Sequence, residues 1–493
     1  MRNLVLAALV LVSGAPAASG AQTLAPSGTT LTLDDAIMLA RRNNPIYLAQ
    51  ASNRRTADAA VRSARGAFLP SAQASFGSRY QQGGQQVFNG LSFTNSSATM
   101  QSSYSFDLNY RINSATFVAP KAAAATRDAV EADITGASEQ LRAAVTQQYL
   151  TVLQAQARSS LQDTLVATAQ TQLDLAKAKV AVGSGTVLDI RRAEVALGQA
   201  QVGLLQERNN VQVEKLRLFQ QIGVAQSGDA VLTTEFPVQP TTFALDSLLD
   251  LARRANPAIL ALRSRERAAD LNTSVAKALY TPTLLLSTGW GGNSYQYTNS
   301  DFLVDRARSG VLASQASCFQ QDSVRQALNF GALGCNGAAY QFTDAQAAAI
   351  RSSNNQFPFR FQRAPMALTA QLTIPVFDNF NREEKVERAQ VERETAMYNV
   401  RAKDLALTAD VTQAYLTLQT AAQTVALNDQ TAAKAKEELA FAEERYKVGA
   451  ATFLDVTTSR ESYERALVDR VNSVYDYHKA YAALENAVGR PLR

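Results

Sequence analysis

From Met100 to Asn113 the chain alternates by twos. Met100, Tyr104, Phe106, Leu108, Tyr110 and Ile112 occupy even positions; Gln101, Ser103, Ser105, Asp107, Asn109, Arg111 and Asn113 occupy odd ones. That period predicts a strand with one apolar face and one wet face. Met366, Leu368, Leu372, Ile374 and Val376 alternate similarly with Thr369, Gln371 and Thr373, and 70–80 and 283–295 complete four strands. Elsewhere the period lengthens. Leu407, Val411, Ala414, Leu418, Ala421, Val425, Ala432, Ala435, Leu439, Ala442 and Tyr446 recur mostly in steps of four and three, with neither Pro nor Gly between 380 and 448. Such a seam predicts a long helix packed as in a coiled coil, broken only by the polar Asn428. Leu141, Val145, Val152, Ala155, Val166, Ala169, Leu173, Ala176 and Val180 write it earlier, interrupted by Gln148, Ser159 and Gln162. A helix over 380–447 reaches about 100 Å, and helices over 31–67 and 452–488 about 55 Å each. Two short helices end to end therefore match one long helix.

The two seams belong to a duplication. LDDAIMLARRNNPIYLA from Leu33 matches LDSLLDLARRANPAILA from Leu245 at an offset of 212, and VTQQYLTVL from Val145 matches VTQAYLTLQ from Val411 at an offset of 266. The offsets differ by 54, so the second copy carries that many extra residues, between 295 and 363. The first repeat is 22–223, with strands around 70–113 and helices over 120–182 and 186–222. After a linker at 224–242, the second repeat is 243–489, with strands at 283–295 and 366–377 and helices over 380–447 and 452–488. A loop insertion at 295–363 holds Cys318 and Cys335, which in an exported chain are most simply read as a disulfide.

Composition narrows the function. The 493 residues carry a net charge of only +5, with both signs interspersed. No basic stripe with interleaved aromatics accompanies the pI of 9.1, so a nucleic-acid partner is not expected. Arg2, the apolar run over 4–12 and Ser19-Gly20-Ala21 read as a signal peptide over 1–21. No later run approaches 18 apolar residues, so any membrane crossing falls to the strands. Four strands cannot close a barrel and open edges are not tolerated in lipid, whereas three copies would supply twelve strands. With one histidine, His478, and no nucleophile motif, no catalytic, cofactor or metal site is expected. A phosphate loop at Gly183 and Gly185 is disfavoured, because the second copy lacks the second glycine and no strand precedes either.

VGSGTVLD (182–189) returns as VGAATFLD (448–455), the A-x-x-x-N-P stretch at 40–45 returns at 252–257, and IPVFDNF occupies 374–380. In this order, over 31–489, the sequence resembles the TolC-type outer membrane efflux and secretion channels. The resemblance implies a mostly α subunit with transmembrane β, three copies of which form a 12-stranded barrel in outer-membrane lipid, continuous with a long periplasmic α-helical barrel. It implies an exit channel in the outer membrane of a Gram-negative bacterium, for efflux or type I secretion. A periplasmic adaptor and an inner-membrane RND or ABC transporter would supply small molecules or proteins. Val182, Gly183, Val448 and Gly449 would face the adaptor, with each glycine capping a helix end. Asp189, Asp455 and Tyr446 would form the periplasmic gate, six carboxylates per trimer whose mutual repulsion would favour partial protonation. The sequence departs from the family at Ala451 and Thr458, where an Arg and an Asp can occur, and at LNYRIN (108–113), which replaces IPVFDN. The other reading is an exported coiled-coil adaptor or structural protein without a pore, which would not require duplicated alternating strands.

Overall fold

The computed structural model describes residues 30–88, 91–95, 97–225, 231–234, 236–238 and 243–492; the expected signal peptide lies outside them. In chain order the elements are β1 (Thr30–Leu31), α1 (Leu33–Asn43), α2 (Pro45–Gly66), β2 (Ser71–Gln81), β3 (Gly84–Phe88), β4 (Leu91–Asn95), β5 (Thr99–Ile112), α3 (Ser114–Ala181), α4 (Val187–Ile222), β6 (Val231–Leu232), α5 (Leu245–Ala255), α6 (Pro257–Lys277), β7 (Thr283–Tyr297), α7 (Asp301–Ala327), α8 (Asp344–Asn354), β8 (Gln362–Arg363), β9 (Ala367–Thr373), α9 (Asn381–Lys447) and α10 (Phe453–Val488). They form two compact units, one of residues 1–61, 121–272 and 388–493, the other of 62–120 and 273–387.

The first unit is helical and shows the duplication in its packing. One buried cluster joins Ala36, Ala40, Leu141, Val145, Val152, Leu218 and Ile222. The other joins their repeat counterparts Leu248, Ala252, Leu407, Val411, Leu418, Leu484 and Val488. Three of the four polar interruptions of the seams, all half-buried, bond to the facing helix. Gln148 Nε2 donates to Glu214 Oε2 at 2.8 Å, Gln162 Nε2 to Ala200 O at 3.1 Å, and Asn428 Nδ2 to Asp469 O at 3.2 Å. The linker contributes β6, paired in parallel with β1.

Where the sequence reads one helix over 31–67, the chain makes two. Asn44 precedes a proline, whose ring excludes the helical ψ; its ψ is 117°. Its Oδ1 accepts from the Ile46 and Tyr47 amides at 3.0 Å each, and its Nδ2 donates to Gln221 O at 2.8 Å. Asn256 repeats the break between α5 and α6, with ψ 120° and Nδ2 donating to Ala487 O at 3.0 Å. The end of α4 or α10 thus docks on an Asn-Pro joint. Gly223 and Gly489, at φ +83° and +88°, sit against those joints; an added Cβ would lie 2.6 Å from Asn43 O and 2.8 Å from Asn256 Cα respectively.

The second unit is a sheet in the order β2-β5-β7, with β8 and β9 both along the far side of β7. Its antiparallel register sets Phe76 opposite Tyr104 and Tyr104 opposite Gly292, and Leu108 opposite Thr288. Even-numbered β5 residues and their partners Ala72, Phe76, Leu284, Leu286, Trp290, Leu368 and Leu372 therefore share one apolar face. The opposite face carries Gln73, Ser75, Ser105, Asp107, Asn109, Arg111, Ser287 and Gln371.

Two boundaries differ from the sequence reading. α3 starts at Ser114 rather than 120, because Asn113 caps it, its Oδ1 accepting from the Thr116 amide at 3.1 Å. Likewise β9 stops at Thr373, short of 377, and residues 374–380 turn before α9 begins. The insertion is not a loop but carries the helices α7 and α8; the Cys318–Cys335 disulfide (Cα–Cα 5.7 Å) ties α7 to the segment that follows it, and Arg351 of α8 reaches Asp301 of α7 at 2.9 Å. In its return segment Phe361 lies 4.8 Å, ring to ring, from Tyr104, whose own ring occupies the space beside Gly292, where an added Cβ would lie 2.8 Å from Tyr104 Cε1. The first-repeat loop, 81–97, adds the hairpin β3–β4 that the alternation did not reveal.

Candidate functional site at the twin helical turns

Both long helices of the helical unit end on a glycine in the left-handed region, Gly183 at φ +73° and Gly449 at φ +79°. Each turn closes with two bonds back onto its helix. Ser184 N donates to Lys179 O at 2.9 Å and Gly183 N to Val180 O at 3.1 Å; Ala450 N donates to Arg445 O at 2.8 Å and Gly449 N to Tyr446 O at 3.2 Å. Only a residue that tolerates positive φ closes the helix this way. The turns project Val182 and Val448, 77% and 79% exposed. Nothing lies within 4 Å of a Cβ added at either glycine.

Each following helix starts with a capping box. Asp189 Oδ2 accepts from the Thr186 amide at 3.0 Å and hydroxyl at 2.8 Å; Asp455 Oδ2 accepts from the Thr452 amide at 2.8 Å and hydroxyl at 2.9 Å. The Thr452 backbone and side-chain bonds, aided by Arg445, hold the Asp455 carboxyl below its ordinary range. This opposes the rise that repulsion alone suggests.

Tyr446 belongs to a contact between the two repeats that the sequence reading missed. Lys179 Nζ, on α3, lies 3.5 Å from the Tyr446 ring centroid and donates to Tyr446 O at 3.0 Å. The cation thus rests on an aromatic face and at the negative end of α9. Phe453 meets the Tyr446 ring edge-on, centroids 5.9 Å apart, in a cluster with Leu173, Ala176 and Ala193. Burial, and then the Asp189 charge, push the Tyr446 hydroxyl upward. No hydrogen bond joins Tyr446 to Asp189 among the described residues. The clue to Lys179 was its repeat counterpart, Arg445, a second cation one turn before the same glycine. Ala451 and Thr458 form no ion pair, and no metal-holding group of three or more His, Cys, Asp or Glu occurs among the described residues.

A duplicated helical unit with capped turns, together with a one-sidedly apolar sheet, defines the class of outer-membrane channel subunits. A family profile described as outer membrane efflux protein matches residues 36–224 and 248–490, one span in each repeat. The chain belongs to that family, whose place is the outer membrane. Solved structures share its fold. The CusC channel superposes with a TM-score of 0.70 at 14% identity, over 93% of this chain and 92% of that one. VceC of Vibrio cholerae gives 0.67 at 16% identity, over 94% and 97%. The CmeC channel of Campylobacter jejuni gives 0.68 at 14%, over 95% and 90%. No curated protein sequence matches the chain significantly.

Proposed function

We propose that the protein is the outer-membrane exit duct of an efflux assembly, formed by three copies and served by a periplasmic adaptor and an inner-membrane pump. The observation that carries this reading is the sheet. It has an apolar face and a polar face, yet β2 and β9 each have only one neighbouring strand among the described residues. Backbone groups left unpaired in lipid cost several kcal/mol each, so the edges must meet other copies. Three sets of four strands close an even-numbered barrel with its polar face inward. No described helix is long and apolar enough to cross a membrane, which leaves the crossing to the strands.

In this reading the twin turns are the periplasmic mouth, Val182, Gly183, Val448 and Gly449 are the surface offered to the adaptor, and Asp189 and Asp455 place up to six fixed carboxylates around the opening. Lys179 on Tyr446 locks the two turns of one copy together, a role open because Ala451 supplies no cation. In this reading the protein's work is conduction, in keeping with its membership of an outer membrane efflux protein family. Efflux is preferred to protein secretion because the matched family is one of efflux proteins. Mass measurement on protein extracted from outer membranes tests the assembly, with three chains per particle expected. A monodisperse monomer carrying native secondary structure would refute it.

A further inference from the structure

We propose that Arg111 forms a three-membered cationic ring on the lumen wall, just where the strands give way to helices, and that this ring selects anionic solutes or the anionic groups of cargo. The inference rests on the barrel reading above and goes beyond it. Arg111 lies on β5, a central strand, opposite Leu285 and on the face shared with Ser71 and Asn109. β5 ends one residue later and α3 begins at Ser114. The guanidinium is exposed and has neither an ion pair nor a hydrogen bond among the described residues. It borders a groove of about 480 Å³ lined also by Asn109, Asn113, Thr116 and Leu285.

The charges on this face fall at separate levels. Its paired β2, β5, β7 and β9 residues include only Arg79, Asp107 and Arg111 as charged groups. Asp107 is four residues up the strand, about 13 Å away. It is engaged by Ser105, whose hydroxyl donates to Asp107 Oδ2 at 2.7 Å. Arg79 pairs with Gln101, ten residues from Arg111 and about 34 Å up-strand, toward the other end of the sheet. Among the paired strand residues Arg111 is therefore the one charged group at its level, and in the passage that follows β9 the Asp378 carboxylate is taken by Arg382 at 3.1 Å.

Twelve strands about 4.8 Å apart, tilted by about 40°, give a backbone radius of about 12 Å. An arginine reaches about 6 Å inward from such a wall. Three guanidiniums then stand about 6–8 Å from the axis, within one Debye length of a passing ion at ~0.1 M salt. At the outer distance of about 8 Å, screened Coulomb's law in water gives about a threefold enrichment of a monovalent anion and an equal depletion of a cation. The permeability ratio should therefore change about tenfold when the ring is neutralised.

The test is planar-bilayer recording at ~0.1 M KCl of the full-length protein, Arg111→Gln and Arg111→Lys, with tripolyphosphate added from the outer side. That approach reaches Arg111 through the barrel without crossing the helical turns. We expect the potassium-to-chloride ratio to rise about tenfold in Arg111→Gln, tripolyphosphate block to weaken at least as much, and Arg111→Lys to keep both properties. Wild-type pores whose selectivity and block ignore the charge at 111 would overturn this inference and leave the barrel standing. Trimer-free protein that forms no pores would overturn both.

Discussion

Four glycines share a positive φ at a helix end, yet alanine should be tolerated at two of them and not at the others. At Gly183 and Gly449 an added Cβ meets nothing within 4 Å, so only the left-handed backbone resists it. That strain costs about 1–2 kcal/mol. At Gly223 the same strain applies, and the new Cβ also lies 2.6 Å from Asn43 O and 2.8 Å from Asn43 C and Asn44 Cα; Gly489 meets Asn256 Cα and Pro257 Cδ at 2.8 Å each. These are backbone and ring atoms of an Asn-Pro joint, which cannot swing aside like a side-chain tip. Overpacking of this kind adds about 1–3 kcal/mol. Gly223→Ala and Gly489→Ala should therefore destabilise by about 2–5 kcal/mol, against about 1–2 for Gly183→Ala and Gly449→Ala. Circular-dichroism melting of the purified protein in detergent, with the yield of oligomer from outer membranes, reads the difference. Equal losses at all four positions would refute the argument, because φ alone would then set the cost. The contrast also frees the turn glycines for functional tests: Gly449→Trp should assemble and yet weaken crosslinking to the adaptor.

Asp189→Asn with Asp455→Asn should lower cation selectivity and cation block from the helical end, leave oligomer yield nearly unchanged because Asn also caps helices, and give intermediate effects as single changes. The depressed Asp455 carboxyl contributes its stabilisation fully above the unfolded value near 3.8 and loses it only as pH falls through the lower folded value. The Asp455 share of that selectivity, read in the Asp189→Asn background, should therefore hold from pH 8 to 5, and a titration midpoint near pH 6 there would contradict the capped geometry. Lys179→Met should remove the contact with Tyr446, with a cation–π loss of about 1 kcal/mol raising open probability about fivefold in single-channel records; an unchanged closed state would assign the pair to packing alone. Thiol labelling of intact cells should modify Cys318 and Cys335 only after reduction, if the insertion faces outward. Labelling without reductant would deny the bond, and none after reduction would place the insertion elsewhere.

The duplication was legible because core positions keep their spacing: Val145 and Val411 point into equivalent clusters, and no surface substitution blurs them. Strand faces were legible for the same reason, since alternation with period two records which side is wet. The Asn-Pro breaks were written plainly at 44–45 and 256–257, but the helical period continues across them and masks the joint. The helices α7 and α8 were hidden because much of α7, including Leu312, Phe319 and Val324, stays exposed and leaves no clean apolar stripe. At the turns, Asp189 and Asp455 were readable as helix starts, whereas the placing of Lys179 on Tyr446 depends on how α3 and α9 meet, which one-dimensional spacing does not contain.

The two strand-to-helix connections of the sheet unit differ in length. β5 passes into α3 across the single capping residue Asn113, while β9 reaches α9 through residues 374–380, with Asn379 and Phe380 at φ 58° and 64°. That second passage is strapped by Arg382, whose Nη1 donates to Pro375 O at 2.9 Å and Nη2 to Val376 O at 3.1 Å, beside an ion pair with Asp378 at 3.1 Å. The passage into α9 therefore leans on one side chain: Arg382→Ala would release two carbonyls and one carboxylate at a stroke.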